Sequence, residues 1–340
     1  MDSVRQGYSL PSIADIDNPV ILETGIAGLI KDQSRSFNRK LASDTYSVYL
    51  QDQMALSEQW KVRANLRNSH VIAKDEGIET TLGYRKLRYA KNLTIGSLGV
   101  VYQPIQNITF YTGYSEGAFV DLNTETNALP DKPETSKQVE MGTKASLFDN
   151  KLNLNVALFK TKHENYIYSF PETQSTPNRK DESRGLEIDF VAKPLGNLML
   201  TGNVVWLKPQ VKSNATAGIN ALGITNASVN GTDPIGVSRR SASLWANYAV
   251  DCIPGLKLSL GSTYRSASCI DALNVYQVPS YLVMDASARY KIILSNKDAW
   301  EIALFVKNLT DKKYYTATTN IGALPGDERS AFLNISYQFK

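Results

Sequence analysis

The sequence predicts an all-β fold, the antiparallel strands of a transmembrane β-barrel, and three observations carry that reading. Short turns recur along the chain, long polar stretches alternate with them, and the runs between are two-faced with a period of two. The turns fall at 56–59, 103–107, 148–151, 192–197, 251–255 and 295–298, roughly 43–58 residues apart. Gly, Pro, Asn and Asp recur among them in short clusters, residues that tolerate or preset turn dihedrals. Long polar segments such as 121–134 and 212–233 lie between them. Hairpins with one trimmed end and one elaborated end follow, which is the asymmetry of outer-membrane barrels.

The runs themselves alternate. Leu256, Leu258 and Leu260 oppose Lys257, Ser259 and Gly261, and Trp300, Ile302, Leu304 and Val306 oppose Glu301, Ala303, Phe305 and Lys307. The same pattern holds for Trp60, Val62, Ala64 and Leu66, for Leu152 to Leu158, and for Leu186, Ile188 and Phe190. Because Cβ direction flips at each strand residue, these are strands of about 10 residues, enough to cross a bilayer when tilted. A period near 45 also fits a β-propeller, but a blade would split each period into four strands of about six residues. Two long runs per period argue against that. A soluble sandwich would carry a polar outer face and shorter strands.

Composition agrees. The hydrophobic share is 42% and mean hydropathy −0.27, and no run approaches the ~18 apolar residues of a membrane helix. A barrel's wet lumen dilutes hydropathy in this way. Tyr (18) outnumbers Phe (10), as a membrane–water boundary favours. Trp60 and Trp300 stand just past short turns and Trp206 near the far end of its run, so they are expected in the two aromatic girdles. The net charge of +4 is scattered without a basic cluster, which excludes nucleic acid as a partner. His70 and His163 have no ligand-type neighbours, so neither a metal site nor a cofactor is expected. Cys252 belongs to a short turn and Cys269 to the next long loop. A strand separates them by some ~40 Å, beyond the ~7 Å reach of a disulfide.

From Thr45 onward about 13 strands are expected, and residues 1–44 read as one long outer loop with a possible stub of strand. An odd count cannot close a single-chain bacterial barrel, so 45–340 is expected to be the C-terminal part of a larger one. Asp2-Ser3-Val4-Arg5 after Met1 shows no charged and apolar leader, which supports the same expectation of a partial chain.

With the strands placed, three segments carry a family resemblance. They are Phe110-Tyr111-Thr112-Gly113-Tyr114-Ser115-Glu116-Gly117-Ala118-Phe119 with Lys137 to Lys144, Val278-Pro279-Ser280-Tyr281 with Asp285, and Val306-Lys307-Asn308-Leu309-Thr310-Asp311-Lys312-Lys313-Tyr314-Tyr315. Tyr46 to Gln53 and the terminal Leu333 to Phe339 extend the set over residues 45–339. The chain resembles the TonB-dependent siderophore receptors of the ferrichrome-type group, without their N-terminal plug. Lys340 after the closing phenylalanine and the long segment 322–329 depart from the pattern.

The resemblance implies about 13 strands of a presumed barrel of roughly 22, in the cell outer membrane of a Gram-negative bacterium. It implies a receptor and transporter, not an enzyme, that imports a ferric siderophore energised by the TonB complex through the plug. Further implied partners are outer-membrane lipid and the barrel-assembly machinery, which would read Tyr337 and Phe339 in the last strand. Candidate ligand contacts are Tyr111, by alternation on the wet face, and Tyr114, Phe119, Tyr166, Tyr168 and Phe170 near the outer rim. The charges Arg63, Arg67, Glu140, Lys144, Glu187, Asp189, Glu301 and Lys307 are expected to pair with each other or with the plug. Two other readings remain open: a passive pore or adhesion barrel (or a non-functional receptor fragment), and a soluble β-rich binding protein.

Overall fold

The computed structural model describes residues 2–9, 30–79, 83–120, 132–168, 176–214, 216–219, 222–294, 298–317 and 322–339. Every regular element among them of more than a turn is a strand. In order these are β1 (Asp2–Ser9), β2 (Ile30–Ala55), β3 (Trp60–Glu79), β4 (Gly83–Ile105), β5 (Ile108–Phe119), β6 (Glu134–Leu147) and β7 (Leu152–Tyr168). There follow β8 (Thr176–Leu195), β9 (Leu198–Val211), β10 (Thr216–Ile219), β11 (Ile224–Ser228), β12 (Arg240–Ala249), β13 (Leu256–Arg265) and β14 (Ser268–Cys269). Last come β15 (Gln277–Val278), β16 (Tyr281–Ile293), β17 (Ala299–Lys307), β18 (Tyr315–Ala317), β19 (Ala323–Pro325) and β20 (Ser330–Gln338).

Fourteen strands form one sheet in the order β1 to β9, β12, β13, β16, β17, β20, so each strand lies beside its neighbours in sequence. The remaining six pair off as three small hairpins, β10–β11, β14–β15 and β18–β19, in the connections between large strands. The expected short turns at 56–59, 148–151 and 251–255 fall between consecutive long strands, those at 103–107 and 192–197 begin within the ends of β4 and β8, and residues 295–297 of the sixth lie outside the described residues. Within 1–44, read as loop with a possible stub of strand, β1 pairs with the first part of β2, which starts at Ile30. Residues 10–29 lie outside the described residues. Several strands also exceed the expected length: β2 has 26 residues, β3 20, β4 23 and β8 20. A tilted crossing needs only about 9–11, so the surplus continues the hydrogen-bonded ladder past the apolar zone.

The chain divides into two compact units. The first, residues 1–50, 66–95 and 118–134, has a small core of Ala73 and Tyr89 with Val120. Its strands are cross-linked by polar pairs, among them Ser47–Ser69 (2.9 Å), Asn68–Thr94 (2.8 Å) and His70–Asn92 (2.7 Å).

The second unit, residues 51–65, 96–117 and 135–340, holds a sheet with two chemically different faces. One face presents Leu158, Leu258, Leu260, Ile302, Leu304 and Leu333, all more than a third exposed. Uncovered aliphatic side chains of this number are unstable in water and stable in lipid. The opposite face carries Lys144, Asn155, Asp189, Asn203 and Ser243, aligned across β6, β7, β8, β9 and β12 by the ladder register. Trp60 stacks on Tyr102 at 4.4 Å, and Trp300 on Tyr337 at 4.8 Å, both beside short turns on the apolar face. Tyr337 also meets Phe339 edge-on at 4.6 Å and donates to Asp298, so the end of the chain is tied into that girdle. Trp206 sits opposite Leu186 in register, where the apolar face ends on the long-loop side.

The stretch 212–233 was expected to be polar and irregular. Its Ala217 and Val229 instead form a core with Val211 of β9, against which Ala272 and Leu273 of the following connection pack. The Asp271 carboxylate accepts the backbone N–H groups of Leu273, Val275 and Tyr276 at 2.9, 3.1 and 2.6 Å. Asn274 receives the Asp233 N–H at 2.6 Å and donates back to the Asp233 carbonyl at 3.0 Å. Asp233 in turn accepts both Nε and Nη2 of Arg239 at 2.6 and 3.0 Å, which holds the guanidinium above its ordinary pKa. Cys252 is exposed and Cys269 buried, and both are free thiols. Burial pushes the Cys269 thiol up, with Asp233 and Asp271 adding to the effect.

Two outcomes follow for this cap. Asp271→Ala strands three donors at a fully buried position, so it should cost about 1–3 kcal/mol and speed amide exchange across residues 269–278 while the membrane strands stay protected. At neutral pH a maleimide should label Cys252 within minutes and leave Cys269 unmodified until the cap is unfolded, as counted by mass spectrometry.

Candidate functional site

The polar face of the second unit encloses a recess of about 680 Å³ beside the short turn 106–107. Lys144 of β6, Asn155 of β7, Asp189 of β8, Asn203 of β9, and Ser243 and Trp245 of β12 line it. Their positions follow from register. Lys144 lies opposite Asn155, Asn155 opposite Asp189, Asp189 opposite Asn203, and Asn203 opposite Ser243, so one row of side chains crosses five strands. Asn155 donates to Asp189 at 3.2 Å, Ser243 bonds Asn203, and Ser259 bonds Asn247 at 2.7 Å two rows on along the same face.

Aromatic rings cover this wall at three places, and each lies across a glycine of the next strand. A Cβ on Gly142 would stand 2.7 Å from the Tyr111 ring and 2.5 Å from the Val156 carbonyl oxygen. A Cβ on Gly185 would meet the Phe159 ring at 2.8 Å, and one on Gly261 would meet Trp245 at 2.5 Å. Only glycine leaves room for a ring to lie flat on the backbone, where it shields the ladder and replaces the missing side chain. The Tyr111 hydroxyl reaches Asn155 Oδ1 at 3.4 Å, and the Lys144 ammonium sits 5.5 Å from its ring centroid. The result is a rigid aromatic and amide surface able to take a bulky, polar, planar-sided molecule by stacking and hydrogen bonding. No group of three or more His, Cys, Asp or Glu able to hold a metal occurs among the described residues.

The candidate residues separate. Tyr111 faces the recess side of the sheet. Tyr114, three residues on, faces the other side, because odd separations along a strand reverse the face. There it donates to Glu116, which also pairs with Lys137 at 3.6 Å. Phe119, 62% exposed, borders a smaller cleft of about 170 Å³ in the first unit with Arg67, Ser69 and Leu93. Tyr166 and Tyr168 lie on β7 opposite Arg179 and Thr176; their side chains, and all of Phe170, fall outside the described residues. Trp245 carried no expectation, although its alternation with Leu244 and Ala246 puts it on the polar face.

Within this chain the expected charges find the following partners. Glu301 pairs with Arg289 at 3.4 Å, but Asp189 and Glu140 accept from Asn155 and Gln138, and Arg63 and Arg67 donate to Gln51, Ser47 and Ser69. Lys307 sits over Phe332 at 5.7 Å. Amides, hydroxyls and rings on neighbouring strands are the partners in reach within this chain.

Residues 5–309 match the family of TonB dependent receptor-like β-barrels, and the chain belongs to it. It is therefore a strand-built protein of the Gram-negative outer membrane, with its apolar face to lipid and its polar face to the lumen. Among curated relatives it is 27% identical over 310 residues to a probable TonB-dependent siderophore receptor, PiuA of Acinetobacter baumannii, covering 87% of this chain and 41% of that protein. It is 28% identical over 298 residues to the ferrichrome outer membrane transporter/phage receptor of Escherichia coli, covering 86% and 38%. The crystal structure of PiuA superposes with a TM-score of 0.77 at 24% identity over 92% of this chain and 45% of that one. The ferric preacinetobactin receptor BauA from Acinetobacter baumannii gives 0.71 at 21%, over 89% and 44%. The chain thus spans about two fifths of the length of the curated relatives it matches.

The four tryptophans test the assignment of faces. In single-tryptophan variants, brominated lipid should quench Trp60, Trp206 and Trp300, whereas aqueous iodide should quench Trp245. Gly142→Ala should cost about 1–3 kcal/mol in unfolding and displace Tyr111, because the facing carbonyl cannot yield.

Proposed function

We propose that this chain is the greater part of the barrel wall of an outer-membrane receptor that imports a ferric siderophore. Import is energised by the TonB complex through a plug that the whole receptor supplies. The observation that supports this most is the recess on the polar face, which Trp245 lines beside amide and hydroxyl groups, with the Tyr111 ring flat on the same face next to Lys144 and Asn155. A metal chelate already satisfies its iron, so its receptor needs stacking surfaces and hydrogen-bond partners for the chelate's periphery and no ligating side chains. No bond is made or broken in such a cycle, and no residue is assigned a catalytic role.

Tyr111 is the strongest ligand-contact candidate, and Phe119, Tyr166, Tyr168 and Phe170 remain candidates near the outer rim. Tyr114, on the lipid side, is better placed to serve the outer girdle. Tyr337 and Phe339 fit the aromatic end of a last strand read by the barrel-assembly machinery, with outer-membrane lipid as the solvent of the apolar face.

The experiment is uptake of radioactive iron by receptor-deficient Gram-negative cells carrying this chain within its whole receptor, offered ferric hydroxamate and ferric catecholate chelates separately. Uptake of one class that requires TonB is expected, and Tyr111→Ala together with Trp245→Ala should weaken chelate binding about tenfold or more. Iron entry that persists without TonB, or binding indifferent to both substitutions, would identify a passive pore instead.

A further inference from the structure

The polar face of the second unit holds a second recess, of about 360 Å³, beside the short turns 192–197 and 251–255. One row of the ladder forms its floor. Met199 of β9 lies opposite Asn247 of β12, Asn247 opposite Ser259 of β13, and Ser259 opposite Ser287 of β16. On β12 this row is displaced from Ser243 to Asn247, some ~13 Å along the strand from the row that crosses the larger recess. Lys193 at the end of β8 and Lys257 of β13 line its two sides, and Arg289 of β16 stands directly opposite Lys257.

The lining carries charge of one sign. Lys193, Lys257 and Arg289 belong to it, and among the described residues no carboxylate does. The larger recess, by contrast, balances Lys144 against Asp189. Like charges directly across a strand pair destabilise a sheet, and Arg289 finds relief in Glu301 of β17 at 3.4 Å. The carboxylate of the neighbouring turn, Asp251, is taken by Asn197 at 2.6 Å. Lys193 and Lys257 are both exposed and make no ion pair among the described residues. Ser259 donates to Asn247 Oδ1 at 2.7 Å, which leaves the Asn247 Nδ2 and the Ser287 hydroxyl as donors without a partner there. Two ammonium groups, an amide and a hydroxyl therefore line one recess with nothing inside it to accept from them.

From this geometry we infer a binding site for a small organic polyanion of the di- or tricarboxylate class, at the short-turn end of the polar face. Lys193 and Lys257 take a carboxylate at each end of it, and the Asn247 amide and Ser287 hydroxyl donate to its middle. The two lysines stand three strand spacings apart, about 14 Å between backbones, so a monoanion cannot reach both ammonium groups and a polyanion can. Charge-assisted hydrogen bonds to carboxylate are the strong ones, and the exposed ammonium groups forgo little to form them. A volume about half that of the larger recess suits a molecule of this size and is too small for a whole iron chelate. The site uses neither Tyr111 nor Trp245 and does not rest on the chelate reading.

The test is calorimetric titration of the whole receptor containing this chain, in neutral detergent at low salt, with propane-1,2,3-tricarboxylate, acetate and a blocked tetraglutamate peptide. Lysine acylation counted by mass spectrometry runs in parallel. The tricarboxylate should bind more tightly than either other probe, weaken as salt rises, and slow acylation of Lys193 and Lys257 but not of Lys61 on β3. K193Q/K257Q should lose about fivefold or more in affinity, whereas K193R/K257R and the control K61Q should retain it. Equal binding of acetate, or an affinity unchanged in K193Q/K257Q, would overturn the assignment. So would tighter binding of the peptide, which points to a protein segment, or lysines already shielded without added anion, which points to the receptor's own plug. None of these outcomes touches iron uptake, so the site and the transport reading fail separately.

Discussion

The structure depends on the backbone's need for hydrogen-bond partners where no water is available. In a hydrocarbon layer each unpaired N–H or C=O costs several kcal/mol, so the strands must pair continuously and in fixed register. Sequential antiparallel hairpins meet that need with the shortest connections, as the sheet order shows. Once the register is set, the period-two rule assigns every side chain to lipid or lumen without further choice. The aliphatic face, the polar row from Lys144 to Ser243 and the aromatic girdles are all consequences of one ladder.

The aromatic–glycine pairs show how the lumen wall gains rigidity without opposite charges. Tyr111 over Gly142, Phe159 over Gly185 and Trp245 over Gly261 each cover backbone that would otherwise be bare. A ring held flat in this way has little rotamer freedom to lose when something docks on it, which lowers the entropic cost of binding. The same device recurs outside the membrane, where a Cβ on Gly326 would collide with the Tyr314 ring, and Tyr314 itself packs on Tyr281 at 4.4 Å. Asn308, in a left-handed turn, bonds Asp285, Lys312 and Asp327 and so folds that connection back on the sheet.

Much of the architecture was legible in the sequence because barrels write it there twice, in turn residues and in alternation. The short turns at 56–59, 148–151 and 251–255 could be read directly, and those at 103–107 and 192–197 to within a few residues. What could not be read arises from contacts distant in sequence. The surplus length of β2, β3 and β4 carries polar residues on both faces, which erase the alternation signal. The cap formed by 212–239 and 266–280 looked like irregular loop because Asn, Thr, Gly and Ser fill it, and its core needs only Val211, Ala217 and Val229. Parity puts Tyr111 on the face it shares with Lys144 and Asn155. Tyr114 was grouped by its nearness to the rim, and parity puts it on the lipid side. Trp245 was legible by the same rule and escaped notice because its neighbours Leu244 and Ala246 look equally apolar.

The mutual grip of Asp233 and Asn274 binds two neighbouring surface connections into a single mechanical body. Neither can be exchanged for a counterpart from a cousin without orphaning polar groups in the other. Grafting experiments on this exterior, and natural recombination, therefore have to treat 212–239 and 266–280 as one inheritable cassette.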